Sequence, residues 1–313
     1  MALKRVSDEE IISAMKRFGS TKIAAEHVGM SVRALAQRKA KIQIERGIAL
    51  PAYSAPQESK RNTYIPENRR VIDHTVDNGH VFIASDCHYW PGEETVAHKA
   101  FVTLLTEFKP LQVVLNGDVF DGARISRHPT LMNTNPPTPK QEIEACQDRL
   151  DEIANASKNA IKFWSYGNHD LRLFNFIASH APELSEFSNL WDYFPGWHTA
   201  WRVDINQSVV IKHRYNNGAH ATWNNALKSG RSIVTGHLHQ LRVTPFSDYD
   251  GRRWGVDTGC IAEPYGDQFT YTEMNPVNWC SGFCVLTFEN GKLLPPELCE
   301  VIDGVAYFRG QRV

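Results

Sequence analysis

The chain has 313 residues, of which 42% are apolar, 22% charged and 11% aromatic, and its formal net charge is −1. The length is about twice that of an ordinary single domain, so two domains are expected. The composition excludes disordered, collagen-like and disulfide-scaffold proteins.

No stretch of the chain approaches the ~18 uncharged apolar residues that a membrane helix needs. Residues 1–10 lack the apolar region of a secretory signal peptide. We therefore expect a soluble, cytoplasmic protein without a membrane partner. The six cysteines are expected to be free thiols. Cys280 and Cys284 have no second pair, and the apolar run around them favours core packing over zinc binding.

The charges are unevenly distributed along the chain. Residues 1–70 contain 14 Lys or Arg and 7 Asp or Glu, which gives +7. Residues 71–313 contain 20 and 28, respectively, which gives −8. This asymmetry indicates two modules with different partners.

Residues 7–47 have the pattern of three short helices. Small residues lie in the middle of the second helix, at Ala24 and Ala25, and in the turn after it, at Gly29. Ser31 is placed to cap the third helix. Small residues at these positions allow two helices to cross closely, and the segment resembles a helix-turn-helix module.

The third helix is basic, which suits a helix that lies against nucleic acid phosphates. The residues expected to contact DNA are Arg33, Arg38, Lys39 and Lys41. The alternative is a three-helix bundle used for homo-oligomerisation or for docking a protein partner. We place this helix-turn-helix-like domain at residues 1–50 and a Pro-containing polar linker at 51–75. The second domain is expected at residues 76–313.

The second domain begins with strands that alternate with amphipathic helices and continues with a strand-rich half. Apolar runs predict strands at 81–84, 112–115, 161–166, 208–212, 232–235, 253–257 and 283–288. The expected fold class is α/β, with a mixed sheet or a pair of packed sheets.

Five groups of polar residues each follow a predicted strand, where an α/β sheet presents its ligands. They are Asp86-Cys87-His88, Gly117-Asp118-Val119-Phe120-Asp121, Gly167-Asn168-His169-Asp170, His213, and Gly236-His237-Leu238-His239. A glycine before a ligand allows a tight turn and close backbone approach.

In this order the groups resemble the motifs of the calcineurin-like metallophosphoesterase superfamily, over about residues 80–265. The resemblance implies a two-sheet β-sandwich flanked by helices. It also implies a centre for two divalent metal ions, one held by Asp86, His88, Asp118 and His239 and the other by Asp118, Asn168, His213 and His237. A shared carboxylate, here Asp118, reduces the repulsion between two such ions. The absence of thiolate ligands favours Mn²⁺, with Fe or Zn²⁺ as alternatives.

Two further residues lie near the expected ligands in the sequence, His220 and Cys87. His213 is followed by Arg214 where the family usually has glycine, so His220 is the alternative ligand. Cys87 lies between two ligands on an extended turn and is expected to point away from the metal ions.

The resemblance also implies a mechanism and its residues. A metal-bridging hydroxide attacks the phosphate ester, His169 protonates the leaving group, and Asp121 orients His169. Arg172 matches a phosphate-contacting arginine of the phosphoprotein phosphatases. Their second arginine is missing, because Gly122-Ala123 follows Asp121. The residues expected to compensate are Arg124, Arg127 and His128.

Three functions follow from these features. The first is a DNA nuclease or phosphodiesterase, with the N-terminal domain delivering the substrate. The second is a phosphatase or phosphodiesterase for small nucleotides or phosphoproteins, with the N-terminal domain used for regulation or assembly. A DNA-binding regulator with an inactive esterase domain is disfavoured by the complete ligand set. The domain arrangement also loosely resembles phage and prophage proteins.

Overall fold

A computed structural model describes residues 6–18, 21–48, 50, 71–127, 135–187, 189–273 and 275–313. The chain divides into two compact units, Met1–Asn62 and Thr63–Val313. In the part of the chain that is described, no helix has the length and apolar character needed to cross a membrane.

The first unit contains three helices, as predicted: α1 (Asp8–Phe18), α2 (Thr21–His27) and α3 (Val32–Arg46). Ser7 begins α1, because its Oγ accepts a 3.2 Å hydrogen bond from the Glu10 amide while its own amide donates to the Glu10 carboxylate. Ser31 caps α3 through a 3.2 Å bond from the Ala34 amide. The buried core of the unit contains Ile11, Met15, Ala24, Ala25, Leu35 and Ile42.

The second unit contains two sheets. Its described strands are β1 (Val71–His74), β2 (Gly79–Ala84), β3 (Gln112–Leu115), β4 (Ile161–Ser165), β5 (His198–Ala200), β6 (Arg202–Ile205), β7 (Val209–Ile211), β8 (Ser232–Thr235), β9 (Arg242–Asp248), β10 (Gly251–Asp257), β11 (Gly282–Glu289), β12 (Lys292–Leu293), β13 (Glu297–Ile302), β14 (Val305–Phe308) and β15 (Gln311–Arg312). One sheet has the order β1-β6-β7-β8-β10-β9. The other has the order β15-β14-β13-β11-β2-β3-β4-β5, with β12 paired to β11.

The two sheets pack against each other, and helices cover the outer face of each. The helices of this unit are α4 (Val96–Phe108), α5 (Pro139–Ala156), α6 (Arg172–His180) and α7 (Ala221–Ser229). Of these, α4 and α5 lie on the larger sheet and α7 on the smaller one. Alternate residues of β2 show the layering: Val81 and Ile83 belong to the core between the sheets, whereas Phe82 and Ala84 belong to the core beneath α4 and α5. The expected α/β fold of two sheets flanked by helices is confirmed.

The structure differs from the sequence prediction at several strands. Residues 71–74, placed in the linker 51–75, form β1 and pair in parallel with β6, so the second unit begins earlier than expected. The rest of that linker lies outside the described residues. The pattern also missed β9, because most of this edge strand is solvent-exposed and it contains Pro245, so it lacks a continuous apolar run.

Candidate metal centre

The predicted ligand residues converge because of how the strands pair. β2, β3 and β4 run parallel, and so do β7 and β8 of the second sheet. Their carboxyl ends therefore lie on the same side of each sheet, and the polar residues that follow them meet there.

The first group of side chains consists of Asp86, His88 and His239. One potential ligand atom from each lies within 4.8 Å of the others. Asp86 is fully buried, and its Oδ1 lies 3.0 Å from Nε2 of His239. These three residues are those expected to hold one metal ion together with Asp118.

The second group consists of Asp118, His213 and His237, again with ligand atoms within 4.8 Å of one another. His213 Nε2 lies 3.1 Å from Asp118 Oδ2 and 4.0 Å from Asp86 Oδ1, so it is close to a carboxylate of each group. Its Nδ1 donates a 2.8 Å bond to the Asn116 carbonyl, which fixes the ring. His220, the competing residue, precedes α7 and belongs to none of the described clusters.

A third group links the first one to the expected proton donor. Oδ1 of the buried Asp121 accepts hydrogen bonds from Nδ1 of His88 at 2.7 Å and from Nδ1 of His169 at 2.8 Å. From the sequence, Asp121 is expected to orient His169 alone. The structure places it to orient a candidate metal ligand as well.

The donor set suits divalent cations. His88 Nε2, Asn168 Oδ1 and His239 Nδ1 are buried, and none has a hydrogen-bond partner among the described residues. A buried polar atom without a partner is costly, and a bound cation would satisfy those that act as ligands. Imidazole, carboxylate and amide donors without thiolate match Mn²⁺, Fe or Zn²⁺.

The backbone is strained at this centre. Five of the expected ligands have positive φ angles: Asp86, His88, Asp118, His237 and His239. Such conformations cost a non-glycine residue about 1–3 kcal/mol and concentrate at functional sites. Gly236 permits the close packing, because a Cβ there would lie 2.5 Å from Asp86 Oδ2.

Acidic and basic side chains of the two groups shift each other's pKa values. Burial alone would raise the pKa of Asp86, but the charges of His239 and His213 lower it to about 2. Burial alone would lower the pKa of His213, but Asp118 and Asp86 raise it to about 9. Acidic and basic side chains therefore stabilise each other's charged forms at neutral pH.

Asp170 anchors the site, a role that the sequence analysis did not assign. Its buried carboxylate accepts hydrogen bonds from the amides of Asp118, Val119, Phe120 and Gly167 and from the Trp164 indole, at 2.9–3.2 Å. It therefore fastens the loop after β3 to the loop after β4. Its place in the Gly-Asn-His-Asp motif was the available signal.

Glu142 is a second anchor missed from the sequence. This buried residue of α5 accepts hydrogen bonds from the amides of Gly122 and Ala123, directly after Asp121. Burial and the charge of Asp121 raise the pKa of Glu142 to about 8. Nothing in the local sequence connects it to a loop 20 residues away.

The expected substrate contacts lie in different environments. Arg172 donates 2.9 Å to the Asp121 carbonyl, and its Nη2 lies 3.0 Å from His169 Nε2. Exposed Arg124 bonds to Asn135 and Pro136 within its own loop, and Arg127 is exposed. His128 lies outside the described residues.

A cavity of about 510 Å³ adjoins the second group, with Asn168 and His213 in its wall. Trp201, Lys212, Arg214 and Tyr215 also line it. No motif in the sequence points to the two aromatic residues, although Lys212 and Arg214 directly flank His213.

An aromatic cluster covers the other side of the centre. The Trp279 ring lies 4.6 Å from the His239 ring, and the Phe269 ring lies 5.1 Å from the His88 ring. Tyr271 contacts both aromatic residues. Burial and the charge of Asp121 raise the pKa of Tyr271 to about 12, so its hydroxyl remains protonated.

The cysteines are free thiols. Cys87 is buried in the core beneath the helices, and Cys284 is buried in the core between the sheets. Burial raises the pKa of both thiols, which disfavours the thiolate that a metal would need.

The basic residues of α3 differ in their contacts. Arg38 pairs with Asp8 and donates to the Val6 carbonyl, so it is used within the first unit. Lys41 lies 3.6 Å from Glu45 in an exposed pair. Arg33 is exposed and Lys39 is half-buried.

Comparisons with known proteins agree with these motifs. Residues 79–243 match the family model for calcineurin-like phosphoesterases. The Gene 54 protein of Mycobacterium phage L5 is 25% identical over 239 residues, which cover 68% of this chain and 91% of that protein. The Gene 54 protein of Mycobacterium phage D29 is 26% identical over 239 residues, which also cover 68% of this chain and 91% of that protein.

Solved structures are more distant. Chaetomium thermophilum Vps29 matches 75% of this chain and 96% of its own, with 11% identity and a TM-score of 0.41. A phosphodiesterase described as archaeal matches 71% and 99%, with 15% identity and a TM-score of 0.36. The E. coli phosphoesterase Yfce matches 69% and 97%, with 17% identity and a TM-score of 0.32.

Proposed function

Because the chain belongs to the calcineurin-like phosphoesterase family, we propose that it is a two-metal phosphodiesterase that cleaves DNA. The observation that carries the chemistry is the contact between the two ligand groups through His213, beside the Asp121–His169 pair. Such an arrangement can hold a phosphate next to both cations and next to a proton donor.

The two cations would be held by the seven residues expected from the sequence, with Asp118 shared between them. When bound, they would neutralise the phosphate oxygens and lower the pKa of an attacking water. Mn²⁺ is the metal that we expect, in keeping with the donor set.

His169 would donate a proton from Nε2 to the departing oxygen. Its Nδ1 donates a hydrogen bond to Asp121, which keeps the ring oriented. In the structure, Nη2 of Arg172 donates to the same Nε2 at 3.0 Å. The guanidinium would have to move from Nε2 to a phosphate oxygen before Nε2 could carry the proton. Asp121 also accepts a hydrogen bond from Nδ1 of His88, so the same carboxylate would orient an expected metal ligand and the proton donor.

DNA is the proposed substrate because residues 1–70 carry +7 whereas residues 71–313 carry −8. An acidic catalytic domain attracts a polyanion poorly, and a basic domain on the same chain can supply that attraction. We propose that residues 1–50 bind DNA as a helix-turn-helix-like domain, mainly through Arg33, Lys39 and Lys41. Arg38 would first have to leave Asp8.

A second candidate function is hydrolysis of small nucleotides or phosphoproteins. The negative charge of residues 71–313 favours it, because a small substrate needs no extended basic surface. The N-terminal helices would then serve regulation or homo-oligomerisation.

A substrate panel separates the two candidates. The protein, loaded with Mn²⁺, is incubated with linear, nicked and single-stranded DNA, cyclic nucleotides, a phosphopeptide and bis(p-nitrophenyl) phosphate. We expect cleavage of DNA and of the generic diester, abolished by chelation. Activity confined to small esters or to the phosphopeptide would reject the nuclease assignment and support the second candidate.

A further inference from the structure

We propose that the cavity beside His213 binds one unpaired nucleotide of the substrate, with its base against Trp201 and Tyr215 and its phosphate near Lys212 and Arg214. This inference rests on the proposed function, since it takes the substrate to be a nucleic acid strand. The protein would recognise one nucleotide of that strand, and this nucleotide would have to be unpaired.

The aromatic side chains are the first support. The Trp201 and Tyr215 side chains remain 48% and 45% exposed although both are large and line a concave surface. A ligand that covers these rings removes their apolar surface from water. Every nucleobase has a face that can stack on such a ring.

Trp201 is also held in place from behind. Its ring meets the Tyr166 ring edge-on, at 5.2 Å between centroids. Tyr166 is buried, stacks on Trp191 at 5.0 Å and donates a 3.1 Å hydrogen bond to Thr199 Oγ1. A platform with fixed rings binds a base at a lower entropic cost than mobile side chains do.

The cations are the second support. Lys212 Nζ lies over one face of the Tyr215 ring, 5.3 Å from its centroid, which leaves the other face for a base. No carboxylate among the described residues forms an ion pair with Lys212 or Arg214. Two unpaired cations next to stacking rings suit a nucleotide, which presents an anion and an aromatic face together.

The size of the cavity limits what can enter. A volume of about 510 Å³ suits a single small ligand, not a stacked base pair. A base inside a duplex must leave its stack to reach such a pocket, which costs free energy. The inference therefore predicts that single-stranded DNA or frayed ends are cleaved faster than the interior of a duplex.

The test compares two single-stranded substrates of equal length, a normal oligodeoxynucleotide and an abasic deoxyribose-phosphate oligomer. Trp201→Ala is expected to lower kcat/KM on the normal strand by about 5- to 150-fold, the effect of one stacked base, and to change the abasic strand less than about twofold. Trp201→Phe should recover much of the loss. Trp223→Ala is the matched control, because Trp223 is 45% exposed but packs on Phe246 and does not line the cavity.

Arg214→Gln tests the phosphate contact. We expect KM to rise on both strands with kcat unchanged, because both carry the phosphate. A fall in kcat alone would overturn that contact, since it would indicate disturbance of the neighbouring His213.

The outcomes separate the inference from the function on which it rests. An equal loss on both strands for Trp201→Ala, with normal metal content, would overturn base binding while DNA cleavage by the wild type stands. If the wild type hydrolyses bis(p-nitrophenyl) phosphate but cleaves neither strand, the proposed function fails, and the inference fails with it.

Discussion

Asp118 is the residue that we expect the two metal ions to share. Its Oδ2 lies 3.1 Å from His213, and its Oδ1 accepts a 2.8 Å bond from the His169 amide. We expect Asp118→Asn to lower metal affinity by more than about tenfold at both sites, because the shared negative charge is lost. Metal content after desalting, measured by mass spectrometry, checks this. Exposed Asp148 gives the control variant Asp148→Asn, and two retained metals in Asp118→Asn would refute the shared ligand.

Substitution of His169 tests whether this residue protonates the leaving group. His169→Ala is expected to keep the metals but to lower turnover by ~10²–10⁴, the usual contribution of a positioned acid. The loss should shrink for p-nitrophenyl esters, because that leaving group departs without a proton. Rates on alkyl and p-nitrophenyl esters provide the comparison, with exposed His180→Ala as the control. A loss of equal size on both esters would mean that His169 only positions the substrate.

From the raised pKa of Glu142 we predict how the stability of the metal-free protein changes with pH. Burial and Asp121 raise the pKa of Glu142 from 4.5 to about 8, so between these values the folded state holds a proton that the unfolded state has lost. The protonated carboxyl of Glu142 therefore adds to the free energy of unfolding. This contribution is complete below pH 4.5 and declines by about 1.4 kcal/mol per pH unit between pH 4.5 and pH 8.

Urea unfolding of the metal-free protein between pH 5 and pH 8 measures this effect. Glu142→Gln should decline less with rising pH than the wild type, because the amide does not titrate. Glu144→Gln, a change at an exposed residue of the same helix, should leave the slope unaltered. Identical slopes for the wild type and Glu142→Gln would show that Glu142 does not titrate in this range.

At the scale of elements, the structure depends on how the loops after β3 and β4 are joined. Five N–H donors converge on Asp170, and an asparagine could not accept all of them without turning an N–H toward another. We expect Asp170→Asn to destabilise the fold by about 1–3 kcal/mol through unsatisfied buried donors. Thermal unfolding against the exposed Asp151→Asn control checks this, and equal midpoints would contradict the anchoring role.

The same elements show what the sequence could predict. Continuous apolar runs identify β2, β3 and β8 within two residues, and the polar groups after them contain the residues that meet in space. Glu142 and Trp201 could not be found in this way. Their roles arise because α5 reaches the loop after Asp121 and because β5 brings Trp201 beside Tyr166, and both contacts depend on tertiary packing.

At the scale of the whole molecule, the division of charge predicts a division of work. Residues 1–70 carry +7, whereas every expected metal ligand lies beyond residue 80 in the acidic remainder. If the basic helices contact phosphates, the affinity for DNA should fall steeply with salt while turnover of a small ester should not change. The two activities of the intact chain should therefore respond to different substitutions.

The intact protein with Arg33, Lys39 and Lys41 all changed to Gln tests this division. Each phosphate contact adds about 0.9 to the slope of log affinity against log salt for duplex DNA, so the variant should lose up to about 2.7 of that slope. Turnover of bis(p-nitrophenyl) phosphate should stay at the wild-type level. Changing exposed Lys99, Lys158 and Lys292 to Gln alters the net charge equally and provides the control. If both triple variants weaken DNA binding alike, net charge alone governs the attraction, and a helix-turn-helix contact is rejected.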